Sequence, residues 1–273
     1  MDRGRWLMKN AVLLLMAMLL LSSCASLSPN GVGRVKRYTF GNENLPEQFN
    51  GYKVAFMSDI HYPSLFTREK LAKVVRKLRN ESPDILMLGG DYVTADTFFV
   101  ELFDSLSSVK PADGVYAVLG NHERRYKGVV EPVMDAYGVM LLADTVVAVE
   151  RDDAVIYLAG VYDSFVYDSL AVQPAETVDE DDFVILLCHT PDYAERSSTT
   201  ADLVLAGHTH GGQVSLFGIY TPVKNTVYGR RFLRGMNTTT SGATVITTNG
   251  VGTSRRKVRF CVPSEIVVVT LKN

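Results

Sequence analysis

Five histidines occur in the chain: His61, His122, His189, His208 and His210. Each follows an apolar, strand-like run within a few residues. The runs read AFM then SDIH, AVL then GNHE, LLC then H, and LA then GHTH; a further run, LML, leads into GGD. Strands in α/β layers present their ends at a common rim, where ligands bind. The pattern predicts that Asp59, His61, Asp91, Asn121, His122, His189, His208 and His210 converge there. Carboxylate, imidazole and amide oxygen suit Mn, Fe or Zn, and the thiolates favoured by structural zinc are missing from the set. Eight groups exceed the needs of one ion. One carboxylate can bridge two ions, and two ions about 3.5–4 Å apart form a clamp for in-line displacement at phosphorus. Glycines at 89, 90, 120, 207, 211 and 212 let the backbone turn sharply at these ends and admit a substrate closely. Taken singly, each residue has a blander reading: a histidine satisfied in the core, or an aspartate capping a helix. The shared position at strand ends is what carries the chemical reading.

The elements that must place these groups follow from hydrophobic pattern. YKVAFM (52–57), DILML (84–88) and GVYAVL (114–119) read as strands. Between them, TREKLAKVVRKL (67–78) has helical spacing at Leu71, Val74, Val75 and Leu78, and FFVELFDSLSSV (98–109) also reads as a helix. This alternation argues for an α/β fold. The later half is richer in strands: VVAVE (146–150), AVIYLAGV (154–161), FVILLC (183–188), DLVLA (202–206), ATVITT (243–248) and EIVVVTL (265–271). NTTTSG (237–242) reads as a hairpin tip. The best fit is two mixed sheets packed face to face and flanked by helices. No internal repeat is found.

Composition sets the outer bounds. The 273 residues are 47% hydrophobic and 21% charged, ordinary for a globular chain able to bury a core. A net charge of −2 excludes a globally basic nucleic-acid binder, and no nucleic-acid partner is expected. At the N-terminus, Arg3, Arg5 and Lys9 precede the apolar run AVLLLMAMLLL (11–21). That run is short for a membrane span, which needs about 20 residues, and suits a signal-peptide core. LSSC (21–24) resembles the lipobox of bacterial lipoproteins, with Cys24 as the lipidated residue; an uncleaved anchor is the alternative. Residues 1–24 are therefore expected to be a signal peptide or anchor, 25–34 a flexible tether, and 35–273 the folded domain. Both readings predict a membrane-anchored, extracytoplasmic protein of the cell envelope.

Taken in order, Asp59-Ile60-His61, Gly90-Asp91, Gly120-Asn121-His122-Glu123, His189 and Gly207-His208-Thr209-His210 resemble the signature of the calcineurin-like metallophosphoesterases. GHTHGGQ, NGVGTS (249–254) and VPSEIVVVTL (262–271) extend the likeness towards the membrane-associated bacterial branch, which includes phosphodiesterases and a lipid A precursor pyrophosphatase. The resemblance implies an αββα four-layer sandwich with two divalent metal ions. It implies Asp59, His61 and His210 on the first metal, Asn121, His189 and His208 on the second, and Asp91 between them. It implies His122 beside the leaving group as proton donor or charge stabiliser, and in-line attack by a hydroxide held between the metals. The substrate expected is a phosphodiester or pyrophosphate, on a lipid or envelope molecule; a general phosphomonoesterase or nucleotide phosphodiesterase is the alternative. A non-catalytic envelope lipoprotein would usually have lost ligands, and all seven are present here. The sequence departs from the pattern at two points. Glu123 stands where Asp is frequent, and either acid could orient His122. Thr94 stands where a second aspartate is frequent, with Asp96 nearby.

Two further features invite readings. Cys188 adjoins His189, but neighbours on a strand face opposite ways. Cys188 and Cys261 therefore read as packed core thiols ahead of a nucleophile or a Cys188–Cys261 disulfide. No Asp or Glu lies between Leu203 and Ser264, while Lys224, Arg230, Arg231, Arg234, Arg255, Arg256, Lys257 and Arg259 do. This is either a solvated basic face or a surface that attracts anionic substrate or lipid heads. In the second case Arg255 and Arg256, with Arg259, are the candidate phosphate contacts.

Overall fold

The computed structural model describes residues 6, 8–14, 33–64, 66–162, 164, 173–216, 218–254 and 258–273. Two six-stranded mixed sheets form its centre. The first runs β1 (Arg34–Gly41), β12 (Glu265–Lys272), β2 (Lys53–Met57), β3 (Ile85–Leu88), β4 (Val115–Ala117) and β5 (Val139–Leu141). The second runs β10 (Gly235–Thr238), β11 (Thr244–Thr247), β9 (Leu203–Ala206), β8 (Val184–Cys188), β7 (Ala154–Gly160) and β6 (Thr145–Arg151). β2 to β5 are parallel to one another, as are β7, β8 and β9. Strands covered on both faces need apolar side chains throughout, which is why β3, β8 and β9 are unbroken buried runs.

The sheets meet through Val54 and Phe56 of β2, Met87 of β3, Leu158 of β7, Leu187 of β8 and Leu205 of β9. On the outer face of the first sheet lie α1 (Arg68–Glu81), α2 (Phe99–Ser107) and α3 (Lys127–Ala136). Helix α1 buries Leu71, Val74, Val75 and Leu78, the spacing read from the sequence. The outer face of the second sheet has a thinner cover. There Leu186, Val204 and Val245 pack under Tyr193 and Ala194 of the five-residue helix α4 (Asp192–Arg196) and under Phe232. The expected four-layer αββα arrangement is present, with one helical layer much reduced.

Five of these elements had no counterpart in the pattern reading: β1, α3, β5, α4 and β10. β1 is an edge strand with mixed exposure, and its partner β12 is more than 200 residues away in sequence. α3 is short, contains Pro132 and buries only Val130 and Met134. The hairpin tip is also shorter than predicted. Asn237 and Thr238 pair with Val245 and Thr244 as strand residues.

The expected membrane-anchored, extracytoplasmic location does not stand. Among the described residues no helix is long and apolar enough to cross a membrane. Residues 8–14 are helical. Cys24 and the tether up to residue 32 lie outside the described residues.

The two-sheet interface makes a specific demand. Phe56 is fully buried in it, and its ring lies where a side chain on Gly89 would have to go, 2.8 Å from an added Cβ. Phe56→Ala is expected to lower the free energy of unfolding by about 3–5 kcal/mol, read from guanidinium denaturation; a loss below about 1 kcal/mol would mean this interface is not the main core.

Candidate metal centre

The ends of β2, β3, β8 and β9, and the turn after β4, meet at one rim. Asp59 and His61 follow β2, Asp91 follows β3, Asn121 and His122 come from the turn, His189 follows β8, and His208 and His210 follow β9. Five of these residues leave their strands in the left-handed region: Asp59 (φ 56°), His61 (47°), Asp91 (55°), His208 (66°) and His210 (52°). Non-glycine residues rarely adopt it, and each costs of order 1 kcal/mol or more unless the surroundings hold it. Here the surroundings are tight. A Cβ on Gly207 would lie 2.1 Å from Ser58 Oγ and 2.5 Å from Asp59 Oδ2, so glycine alone lets the two turns touch.

The side chains form three overlapping groups whose ligand atoms lie within 4.8 Å of one another: Asp59, His61 and His210; His61, Asp91 and His122; Asp91, His189 and His208. In the first group His210 Nε2 is 3.3 Å from Asp59 Oδ1 and 3.2 Å from His61 Nε2. In the last, His189 Nε2 is 3.2 Å from His208 Nδ1, 3.3 Å from Asn121 Oδ1 and 3.6 Å from Asp91 Oδ2. Asp91 Oδ2 is also 3.6 Å from His61 Nε2, which makes it common to both ends of the cluster. The expected groups are thus brought together.

The donor set fits cations. Asp59 Oδ1 is buried and has no hydrogen-bond partner, a costly state for a carboxylate unless a cation faces it. Two ligands each about 2.1 Å from one ion lie roughly 3.0–3.4 Å apart, the separation seen between the facing ring nitrogens. Burial pushes His61 down to about 4 and His208 down to about 3. Burial, with His61 and Arg259 alongside, holds His210 well below its usual value. These imidazoles are neutral near pH 7 and keep lone pairs to offer. Burial alone would raise Asp91, but the charge and hydrogen bond of His189 hold it well below the usual carboxylate range. Burial and the neighbouring Asp91 push Asp59 up to about 6, with His189 opposing. Two buried acids close together call for positive charge, and a dinuclear centre supplies it.

His122 differs from the other histidines. Its amide donates to Asp91 Oδ1 (3.0 Å), while its side chain is 34% exposed with Nε2 3.9 Å from Asp91 Oδ2. It faces a cleft of about 660 Å³ that is also lined by Asn121, Gln213, Val223, Ser254 and Val258.

Several readings are corrected here. Glu123 does not orient His122. Its fully buried carboxylate accepts from the amides of Asp91 (2.8 Å), Tyr92 (2.9 Å) and Gly120 (2.9 Å), fixing the two turns that carry Asp91 and Asn121. Asp96 does not replace the missing acid; it bonds the Thr97 amide away from the cluster. Arg259 is not on a basic surface but buried, donating to five backbone carbonyls. Arg230 and Arg231 are likewise engaged, with Gly218 and Ile219 carbonyls and with Glu195. Arg255 and Arg256 lie outside the described residues. Cys188 and Cys261 are free thiols, and Cys188 Sγ donates to the Thr190 carbonyl on the face away from the cluster. Sequence reasoning gave Ser58 no role, although its hydroxyl donates to the Gly89 carbonyl beneath the site. Serine before Asp59 was the only signal for it.

The profile of the calcineurin-like phosphoesterases matches residues 52–212, which contain all eight of these groups. The chain belongs to the calcineurin-like phosphoesterase family. A phosphoesterase of this family is a hydrolase that uses a dinuclear divalent metal centre. An uncharacterized metallophosphoesterase of Aquifex aeolicus is 32% identical over 88% of this chain and 92% of its own length. An Escherichia coli protein named phosphodiesterase YaeI is 27% identical over 74% of this chain and 75% of its own length. A Danio rerio relative, 28% identical over 84% of this chain and 55% of its own length, is named a transmembrane protein with a metallophosphoesterase domain. The membrane wording describes that protein and restores no membrane location here.

The role found for Glu123 is open to direct test. Glu123→Ala strands three buried amides, so the metal-free protein is expected to lose about 3 kcal/mol or more in urea unfolding, at 1–3 kcal/mol per unsatisfied group. A variant of unchanged stability but reduced turnover would return Glu123 to the role of orienting His122.

Proposed function

We propose that this phosphoesterase cleaves phosphodiester or pyrophosphate bonds, with a lipid-linked or envelope-type phosphoester as its substrate. The observation that carries the reading is Asp91 Oδ2, placed between His61 on one side and His189 on the other. In this reading Asp59, His61 and His210 hold one divalent ion, Asn121, His189 and His208 hold the other, and Asp91 is shared. The name of the Escherichia coli relative supports a diester. The apolar lip of the cleft supports a substrate with a greasy portion. Val223 and Val258 line the cleft, and nearby in sequence Leu216, Ile219 and Tyr220 are exposed, Ile219 at 74%.

When bound, the two ions supply activation of water and stabilisation of charge on the phosphoryl oxygens. The chain's own groups do the rest. The buried carboxylates and neutral imidazoles exclude water from beneath the phosphorus, while the open side of the cleft admits the ester. His122 stands on that open side, hydrogen-bonded through its backbone to Asp91, so its ring is placed without being spent on the core of the cluster. There it can hand a proton to the departing ester oxygen or stabilise its charge.

Two measurements test this. The Mn-loaded protein is expected to turn over bis-p-nitrophenyl phosphate faster than p-nitrophenyl phosphate; the reverse order would indicate a phosphomonoesterase. His122→Ala is expected to keep near-normal metal content while turnover falls roughly 10²–10⁴-fold. Loss of metal in that variant would make His122 a ligand, as its grouping with His61 and Asp91 allows.

A further inference from the structure

Arg259 is a buried, heavily hydrogen-bonded side chain outside the cluster, and the proposed chemistry leaves it unused. Its relative exposure is 8%. Nε and Nη2 donate to the Gly252 carbonyl at 3.0 and 2.6 Å, and Nη2 also to Asn249 (2.7 Å) and Gly250 (3.2 Å). Nη1 reaches the carbonyls of His210 and Val262, both at 3.4 Å. Nη2 lies 3.5 Å from His210 Nδ1, the ring nitrogen opposite the one that faces Asp59. A guanidinium is costly to bury, and a planar fork of five donors is the one side chain able to satisfy carbonyls from three chain segments at once.

Those segments have a common destination. The turn at 249–252, which Arg259 gathers, lies against the backbone that carries Asp59. Val251 N donates to Ser58 O at 3.1 Å, and Gly252 N to Asp59 O at 2.8 Å. The approach is too close for any side chain: a Cβ on Gly252 would lie 1.9 Å from Ile60 O, and one on Gly250 2.7 Å from Asp59 Cβ. Through this turn Arg259 fixes Asp59, and directly it fixes His210. None of its hydrogen bonds goes to Asn121, His189 or His208.

We propose that Arg259 is a positioning residue for the first metal site alone, tying the His210 turn to the turn that supports Asp59. The inference rests on the dinuclear reading above and adds a division of labour within it. The two ions have separate supports: Arg259 for the first, and the Glu123 carboxylate for the turns carrying Asp91 and Asn121. Loss of Arg259 should therefore empty one site and spare the other, an asymmetry that a general role in stability would not produce.

The test compares the full chain with Arg259→Lys and Arg259→Gln. Lysine keeps the charge but not the fork. Each protein is titrated with Mn, metal per chain is measured by mass spectrometry, and coupling between ions by electron paramagnetic resonance. Bis-p-nitrophenyl phosphate turnover is followed in parallel. Wild type is expected to bind two ions with an exchange-coupled signal. Arg259→Lys is expected to hold one ion with unchanged affinity and a magnetically uncoupled signal, and to bind the second roughly 10–100-fold more weakly. Arg259→Gln should show the same pattern, with the larger loss. Two ions bound with wild-type affinity, or both lost together, would overturn the inference. So would failure of Arg259→Lys to fold by circular dichroism, since that assigns the residue to the fold and not to one site. A wild type that binds no Mn would instead overturn the dinuclear reading itself.

Discussion

The structure depends on keeping two carboxylates, Asp59 and Asp91, buried beside one another among histidines. Each is almost wholly out of water, and each raises the other's cost through like charge. Hydrogen bonds from His208 N to Asp59 and from His122 N to Asp91 relieve part of that cost, but Asp59 Oδ1, which faces the His210 ring, accepts no hydrogen bond. The neutral imidazoles at 61, 208 and 210 bring lone pairs and no compensating charge. His189 differs from these three: Asp91 draws it up to about 10 despite its burial, so it can carry a proton as partial compensation without metal. The site is thus electrostatically incomplete by design, and cations complete it. The same argument explains why the rim is built from backbone turns so strongly tied to one another. A cluster of repelling groups would otherwise open towards water.

That restraint comes from the parallel strands. Adjacent parallel strands bring their carboxyl ends to one edge, so ligands separated by 151 positions, Asp59 and His210, become neighbours without a long loop. Direction alone would not be enough, because a strand continuing past its end would carry alternate side chains away from the rim. The left-handed residues at 59, 61, 91, 208 and 210 break the strand geometry within one or two positions and turn each side chain inward. Gly89, Gly207 and Gly252 then allow the turns to pack against each other at distances no Cβ would tolerate. The cost in local strain is offset by the two large buried interfaces on which the strands rest.

Much of this was legible in the sequence, for identifiable reasons. Buried parallel strands leave unbroken apolar runs, and the residue types that follow them announce the rim; hence β2, β3, β4, β8 and β9 and the eight polar groups that follow them were readable. What depended on pairing distant segments was not. β1 has a mixed pattern because it is an edge, and only its partner β12 makes it a strand. Glu123 had the right chemistry to orient His122 and the right proximity, but its side chain turns back to three amides. Arg259 looked like one member of a basic run. Its burial could not be seen, because the carbonyls that accept its bonds carry no sequence signature. The two glycines of NGVGTS were the nearest signal, since glycines alternating in a turn imply something passing close to the backbone. The location inferred from the N-terminal segment failed for another reason: a short apolar run says little about the fold behind it.

The family match ends at residue 212, yet the site does not. Everything that touches metal in the proposed reading lies before that point. Gln213, Val223, Ser254 and Val258, which wall the cleft, lie after it, and so does Arg259, which holds the first site together from behind. A segment without a single acid from 203 to 264 is therefore doing two jobs at different depths. Its buried arginine satisfies carbonyls, and its exposed part sets what may enter. Within such an arrangement the reaction is fixed by the strand ends. What enters the cleft meets that wall, where Val223 and Val258 stand beside the polar groups of Asp91, Asn121 and His122.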